Sequence, residues 1–325
     1  MTTTMHRDAR PCHVVFGHLI IDDLRFPDGA RVDGQLGGAG TYAALGAALA
    51  SGQRVGLVSG VGRDLDPAHR AWLASWEIDT SALVERGEHT PRSRVVYRQD
   101  ETRTEQPEHG EVHFASMAPS VHDLPADWSP AGVYVFARHD DPSLPAVIDW
   151  ARRRDAPLMW EIAADSCHPA TLAGCVDLLR AVDVLSINLA EARALTGATA
   201  PIACLRRLRE TGARLVTLRM GADGALIADP HVTVAAEAVT AGEVVDPTGS
   251  GNCHGGAFLA AWSRTHDLER AAALAAAAAA VVLGHHGVPP PRRPSDLTAV
   301  TNQAALVRTR VIAAGDSPTP PRSTP

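Results

Sequence analysis

At 325 residues the chain is long for one domain, yet within the range over which alternating strands and helices build a single core. Hydrophobic residues at 45% and charged residues at 21% exclude the polar, charge-dense composition of a disordered chain. A net charge of −7, with no basic run interleaved with aromatics, excludes the electrostatic footprint of a nucleic-acid or anionic-membrane binder and leaves small molecules as the expected partners.

Cys12, Cys167, Cys175, Cys204 and Cys253 are odd in number and contain no C-x-x-C pair, which argues against a disulfide framework and a zinc ribbon. A reducing cytoplasm is the expected setting. The opening MTTTMHRDAR lacks the apolar stretch of a signal peptide, and the longest apolar run, Ala271 to Leu283, is too short to span a bilayer and reads as a buried helix. All 30 basic residues are arginine, so chemistry that needs an ε-amine is excluded: no Walker A lysine, no protein-kinase strand lysine and no Schiff base.

In chain order, residues 12–22 and 54–61 are short apolar runs bounded by polar residues, the pattern of buried strands, with a small-residue helix between them from Gly40 to Ala50. Residues 92–98 and 111–115 flank the polar stretch DETRTEQPEHG and suggest a partly exposed antiparallel pair. From Gly132 onward strands and helices alternate: VYVF, a helix near Pro145 to Arg154, LMWEI, a helix near Leu172 to Arg180, VLSIN and a helix from Leu189. A helix from Ile202 to Thr211 and the strands LVTLRM and ALIA follow. Such alternation predicts right-handed crossovers and a mainly parallel sheet with helices on both faces. The pattern is that of one α/β domain over residues 12–312, with flexible termini at 1–11 and 315–325, the latter rich in Pro, Ser and Thr.

The most informative stretch is 244–262, VVDPTGSGNCHGGAFLAAW. Pro247 stops the preceding strand, Gly249 and Gly251 permit close backbone approach, and Cys253 to Trp262 has helical composition. A glycine turn that opens a helix aims unpaired N–H groups at one point and adds the positive end of the helix dipole, which makes an anion site. The plainer reading is an ordinary glycine-containing helix cap.

DPTGSGN followed by GGAFLAAW resembles the second signature of the ribokinase/PfkB carbohydrate kinase family. Other segments fall in that family's order: GHLIID resembles its opening strand, Gly37-Gly38 with AGTYAALGAALASG its first glycine motif, Asn188 with Glu191 its N-x-x-E element, and GADGALI its nucleotide-side hairpin. The resemblance implies a ribokinase-like fold with a small β lid from about residues 23–36 and 86–115, and transfer of the ATP γ-phosphoryl group to a hydroxymethyl group of a sugar, nucleoside or related polyol. It places Asp22, Gly37, Gly38, Tyr42 and Glu161 on the substrate side and Asn188, Glu191, Thr217, Gly221 and Gly287 on the nucleotide side. The amides of Gly249, Ser250 and Gly251 become the anion hole. Mg2+ is implied near Glu191 through water, and a monovalent cation such as K+ near Asp246 and Thr248. A homodimer through exposed lid strands is a further expectation.

The pattern departs from the family at the residue after the second signature glycine, where an Asp accepts the proton of the attacking hydroxyl: here it is Asn252, which cannot act as a base at neutral pH. Tyr42 replaces a substrate-binding Asn, and Glu161 stands where many members carry Asp. The Gly-Asn ending and the Trp-Glu strand resemble a branch of the family known largely from fungi. Asp22, Asp23 and Glu161 are the candidate replacement bases, because strand ends converge on the cleft; His254 is disfavoured, and His18, His285 and His286 have no expected role. Beside a slow kinase stand a catalytically impaired protein that binds nucleotide or sugar phosphate as a regulator, and a repurposed enzyme on the same fold. A dinucleotide-binding reading of Gly38-Ala39-Gly40 with Ala43 is weak, since the polar RVDGQLG and not a buried strand precedes it.

Overall fold

The computed structural model describes residues 10–98, 103–239, 242 and 244–312. The tail from 315 and most of the N-terminal segment, expected to be flexible, lie outside the described residues. Among those described, the main sheet runs in the order Thr309–Ile312, Thr233–Ala236, Ala225–Ala228, Leu215–Arg219, Val184–Asn188, Leu158–Ile162, Gly132–Ala137, His13–Phe16, Val55–Val61, Ile78–Asp79. Pairing is parallel from Leu215–Arg219 to Ile78–Asp79 and antiparallel through the three strands beyond Leu215–Arg219. The central strands VVF, LMWEI and VLSI are buried along their length, as continuous apolar runs covered on both faces should be.

His13–Phe16 is flanked by Val55–Val61 on one side and Gly132–Ala137 on the other. The chain first builds outward on one side and then returns to build on the other, so a crevice opens beyond the carboxyl ends of these strands. The carboxyl ends of the neighbouring strands deliver Glu161, Asn188 and Arg219 to the same edge.

Helix Ala39–Ser51 lies against helix Ser250–Thr265 at glycine distance. A Cβ on Gly46 would stand 1.9 Å from the Cys253 carbonyl oxygen, and one on Gly256 2.0 Å from that of Ala43. The small residues that made both segments look helical therefore also set how closely they pack. The Ala-rich helix Leu268–Leu283 covers Ser250–Thr265 and is largely buried, as its composition predicts.

A second, four-stranded sheet has the order Arg31–Gly37, Ile20–Arg25, Arg92–Tyr97, Arg103–Pro107. Two strand expectations are corrected by it. Residues 12–22 are not one strand: His13–Phe16 belongs to the main sheet and Ile20–Arg25 to the small one, separated by the Gly17–Leu19 break. Residues 111–115 lie in a helix, Gly110–Ser116, and the antiparallel partner of Arg92–Tyr97 is Arg103–Pro107, inside the polar stretch expected to form the turn. The sequence RTEQP is too polar to read as a strand on its own.

Candidate active site

The helix Ser250–Thr265 begins at the crevice. Gly249, its N-cap, takes φ 77°, ψ −12°, a left-handed conformation that a side chain disfavours, and a Cβ there would lie 2.2 Å from the Tyr42 ring. The Cys253 amide reaches back to the Gly249 carbonyl at 2.9 Å, and the Ser250 amide to the Pro247 carbonyl at 3.2 Å. Among the described residues no side chain caps the helix, so its leading amides and its dipole face the cleft.

The cleft measures about 810 Å³. Toward the small sheet it is lined by Ile20, Asp22, Gly38, Tyr42, Phe114 and Phe136. Toward the antiparallel edge of the main sheet it is lined by Gly221, Ala225, Ala236, Ala276, Ala279 and Leu283. Between them lie Glu161, Asn188, Glu191, Arg219 and the turn Thr248–Asn252. Twelve of the expected site residues thus line one cavity: Asp22, Gly38, Tyr42, Glu161, Asn188, Glu191, Gly221, Thr248, Gly249, Ser250, Gly251 and Asn252.

Gly37, Thr217, Asp246 and Gly287 lie elsewhere. Gly37 backs Asp22, whose Oδ2 would be 2.1 Å from a Cβ at that position. Thr217 is fully buried within its strand and donates to the Ser186 hydroxyl at 3.1 Å, because inward-facing residues of a covered sheet point into the core. Gly287, at φ 71°, faces Gln35 of the small sheet. Asp246 is 2% exposed, and its carboxylate accepts from the Thr248 amide at 2.8 Å and from the Tyr97 hydroxyl at 2.8 Å. Thr248 Oγ1 lies 2.9 Å from the same hydroxyl. The side chains expected at a monovalent-cation loop are therefore engaged by a tyrosine from the small sheet.

Glu161, expected to touch substrate or supply a base, has both oxygens on Arg219: Oε2 accepts from Nη1 at 2.7 Å and Oε1 from Nη2 at 2.5 Å. A carboxylate bound bidentately to guanidinium is a poor proton acceptor. Arg219 also donates through Nη1 to Ser186 Oγ at 2.7 Å and to the Gly251 carbonyl at 3.2 Å. Burial opposes the guanidinium charge, yet the neighbouring Glu161 more than offsets this and raises its pKa. Asp23, the third base candidate, is spent on Arg92 at 2.9 Å and on the Gly34 amide at 2.8 Å; burial raises its pKa, but these donors leave it below the usual carboxylate range.

Asn252 donates from Nδ2 to the Tyr134 hydroxyl at 3.1 Å. Burial first, and then the Glu161 charge, push the Tyr134 pKa far above its ordinary value, so this phenol stays neutral. His254 is 6% exposed, and burial together with Arg219 lowers its pKa to about 3, too weak for a base. Asn188 and Glu191 cap one helix reciprocally: Asn188 Oδ1 accepts from the Glu191 amide and Glu191 Oε2 from the Asn188 amide, each at 2.9 Å. Burial raises the Glu191 pKa.

Sequence reasoning missed Arg219, Tyr134, Tyr97, Phe114 and Phe136. Arg219 alone carried a signal, a charge closing the otherwise apolar strand LVTLR. His18, which had no expected role, stacks on Phe114 with ring centroids 4.1 Å apart and bonds its carbonyl through Nε2 at 3.1 Å, holding that ring at the cleft.

The model of the pfkB family carbohydrate kinases matches residues 13–294. The chain belongs to the pfkB family. This pfkB-family chain is 31% identical over 273 residues to the cytidine kinase of Thermococcus kodakarensis, covering 80% of the present chain and 92% of that one. Its fold matches the adenosine kinase of Sinorhizobium meliloti with a TM-score of 0.74 at 18% identity, over 91% and 99% of the two chains. It also matches the ribokinase of Arabidopsis thaliana, complexed with ribose and ATP, with a TM-score of 0.69 at 17% identity, again over 91% and 99%. The architecture is the ribokinase-like α/β fold. No described helix is long and apolar enough to cross a membrane.

Proposed function

We propose that this pfkB-family chain is an ATP-dependent kinase that phosphorylates a hydroxymethyl group of a nucleoside, with Asn252 making turnover slow. The observation that carries this reading is the uncapped helix start at Gly249–Asn252, opening into a cleft that continues on one side into a small apolar subsite and on the other toward Asp22. In-line transfer needs positioning and charge stabilisation more than covalent participation, and main-chain amides supply both without lysine.

The nucleoside class, among the sugars, nucleosides and polyols that the family pattern allows, is supported by the aromatic residues Phe114 and Phe136 lining the acceptor side and by the cytidine kinase relative. In this reading Asp22, which lines the cleft, accepts from acceptor hydroxyls, and Gly38 closes over the ring. On the donor side the wall of Gly221, Ala225, Ala236, Ala276 and Ala279 leaves room for a purine. Among the described residues no group of three or more His, Cys, Asp or Glu is arranged to hold a metal ion. That fits Mg2+ carried in largely by the nucleotide phosphates and waters, with Glu191 and Asn188 as the outer contacts. When bound, Mg2+ supplies positive charge across the phosphates.

Asn252 favours a second reading, a protein that binds nucleotide without transferring phosphate. Incubation with ATP, Mg2+ and a panel of nucleosides, sugars and polyols separates the two. A phosphorylated nucleoside formed in preference to the other products supports the first; nucleotide binding without any product supports the second.

A further inference from the structure

Arg219 ends its strand at the centre of the cleft, directly beneath the phosphate turn. A Cβ on Gly251 would meet its Nε at 3.3 Å, so the guanidinium lies against the backbone of the turn. Of its five N–H donors, Glu161, Ser186 and the Gly251 carbonyl engage Nη1 and one hydrogen of Nη2. The Nε hydrogen and the second Nη2 hydrogen have no protein acceptor among the described residues, although Arg219 lines the cavity. Its side chain is 11% exposed and that of Glu161 4%, so water screens the pair weakly. A buried ion pair adds little to stability over apolar residues of the same size, so its place at the mouth of an anion site calls for a functional reason.

We propose that Arg219 is a catalytic residue that stabilises the charge on the phosphoryl group in flight, and that Glu161 is the positioning residue that fixes its fork. The inference rests on the kinase reading. In the transfer, the acceptor hydroxyl oxygen forms a bond to the γ-phosphorus as the bond from that phosphorus to the β-bridging oxygen breaks and ADP leaves. Asn252 cannot take the hydroxyl proton, which passes instead to a non-bridging oxygen of the transferred group and from there to water. In a loose transition state that proton leaves late, so charge stabilisation matters more than a base, and a rigid cation at the phosphoryl oxygens supplies it. Glu161 thereby changes from candidate base to anchor: holding Oε1 and Oε2 against both η nitrogens, it directs the remaining donors away from itself.

The test uses the full chain and its variants Arg219→Met, Arg219→Lys and Glu161→Gln. Calorimetry measures binding of ATP with Mg2+, and of ADP with Mg2+ and aluminium fluoride, a mimic of the phosphoryl group in flight; steady-state kinetics use the best nucleoside acceptor. Arg219→Met should bind ATP within about threefold of the parent, lose the extra affinity for the aluminium fluoride complex, and fall roughly 10²- to 10³-fold in kcat, the scale of removing one transition-state donor. Arg219→Lys, which keeps the charge but not the fork, should fall between the two, and guards against misfolding of the methionine variant. Glu161→Gln should lower kcat with KM for ATP nearly unchanged. If Arg219→Met and Arg219→Lys keep the parental kcat and the parental preference for the aluminium fluoride complex, Arg219 has no catalytic role. If the parent binds no nucleotide at all, the kinase reading falls, and this inference with it.

Discussion

The Tyr97 hydroxyl of the small sheet lies 2.8 Å from Asp246 Oδ2 and 2.9 Å from Thr248 Oγ1, tying that sheet to the loop that carries the phosphate turn. Phe26 stacks on the same ring at 5.1 Å, and His286 lies against Phe26 at 4.7 Å and near Asp246 at 3.8 Å. The small sheet and the loop that opens the glycine turn are thereby mechanically linked. Tyr97→Phe keeps the stacking and removes the hydroxyl. It should cost about 1 to 2 kcal/mol, because Asp246 is left with a buried, underpaired carboxylate, and raise KM for ATP severalfold. Thermal melts and ATP titrations check it; an unchanged KM would mean that the two parts move independently.

Asn252→Asp places a carboxylate next to the Tyr134 hydroxyl, which now accepts from the Asn252 amide and can turn to donate. With a carboxylate at the turn, kcat should rise by about tenfold or more, up to the roughly 10²- to 10⁴-fold that a positioned base contributes. A rate equal to that of the parent would show that the missing carboxylate does not limit turnover.

Gly249→Ala meets two obstacles at once, a φ of 77° and a ring carbon of Tyr42 at 2.2 Å from the new Cβ. The backbone alone costs about 1 to 2 kcal/mol. The turn should shift, weakening ATP binding at least tenfold in calorimetry, and the displaced Tyr42 ring should weaken acceptor binding as well. Undiminished ATP affinity would remove this turn from the donor site.

Stability should fall on the acid side of neutrality. Burial, with a smaller push from a nearby arginine, lowers the pKa of His13 to about 4 and of His254 to about 3, against an ordinary value of 6.5. Between pH 6.5 and about 4 the unfolded chain binds protons at these positions and the folded chain does not, so stability drops as pH falls through that window. Each histidine contributes a slope of up to about 1.4 kcal/mol per pH unit. Denaturant midpoints at pH 7, 6 and 5 should show the decline, and His254→Phe should flatten it. A slope unaffected by that substitution would mean the ring is already protonated or exposed.

Much of this was legible in the sequence because strand and helix periods are local. Buried parallel strands such as LMWEI and VLSIN announce themselves as short apolar runs, and the glycines at 249 and 251 announce a turn against a helix. What failed was long-range. Arg103–Pro107 is a strand only because Arg92–Tyr97 lies beside it, and its own residues are too polar to say so. Gly110–Ser116 has the apolar alternation of a strand but closes as a helical turn. Glu161 and Arg219 lie 58 positions apart, and only the adjacency of Leu158–Ile162, Val184–Asn188 and Leu215–Arg219 reveals that one neutralises the other. A carboxylate at a strand end reads as a base until its partner is seen.

The most direct test is calorimetric titration of the purified chain with ATP and Mg2+, followed by detection of labelled γ-phosphate on a nucleoside. Saturable binding at one site, lost in Gly249→Ala, together with a phosphorylated nucleoside, is the predicted result. A chain that takes up no ATP, or takes it up equally well without the turn, would contradict it.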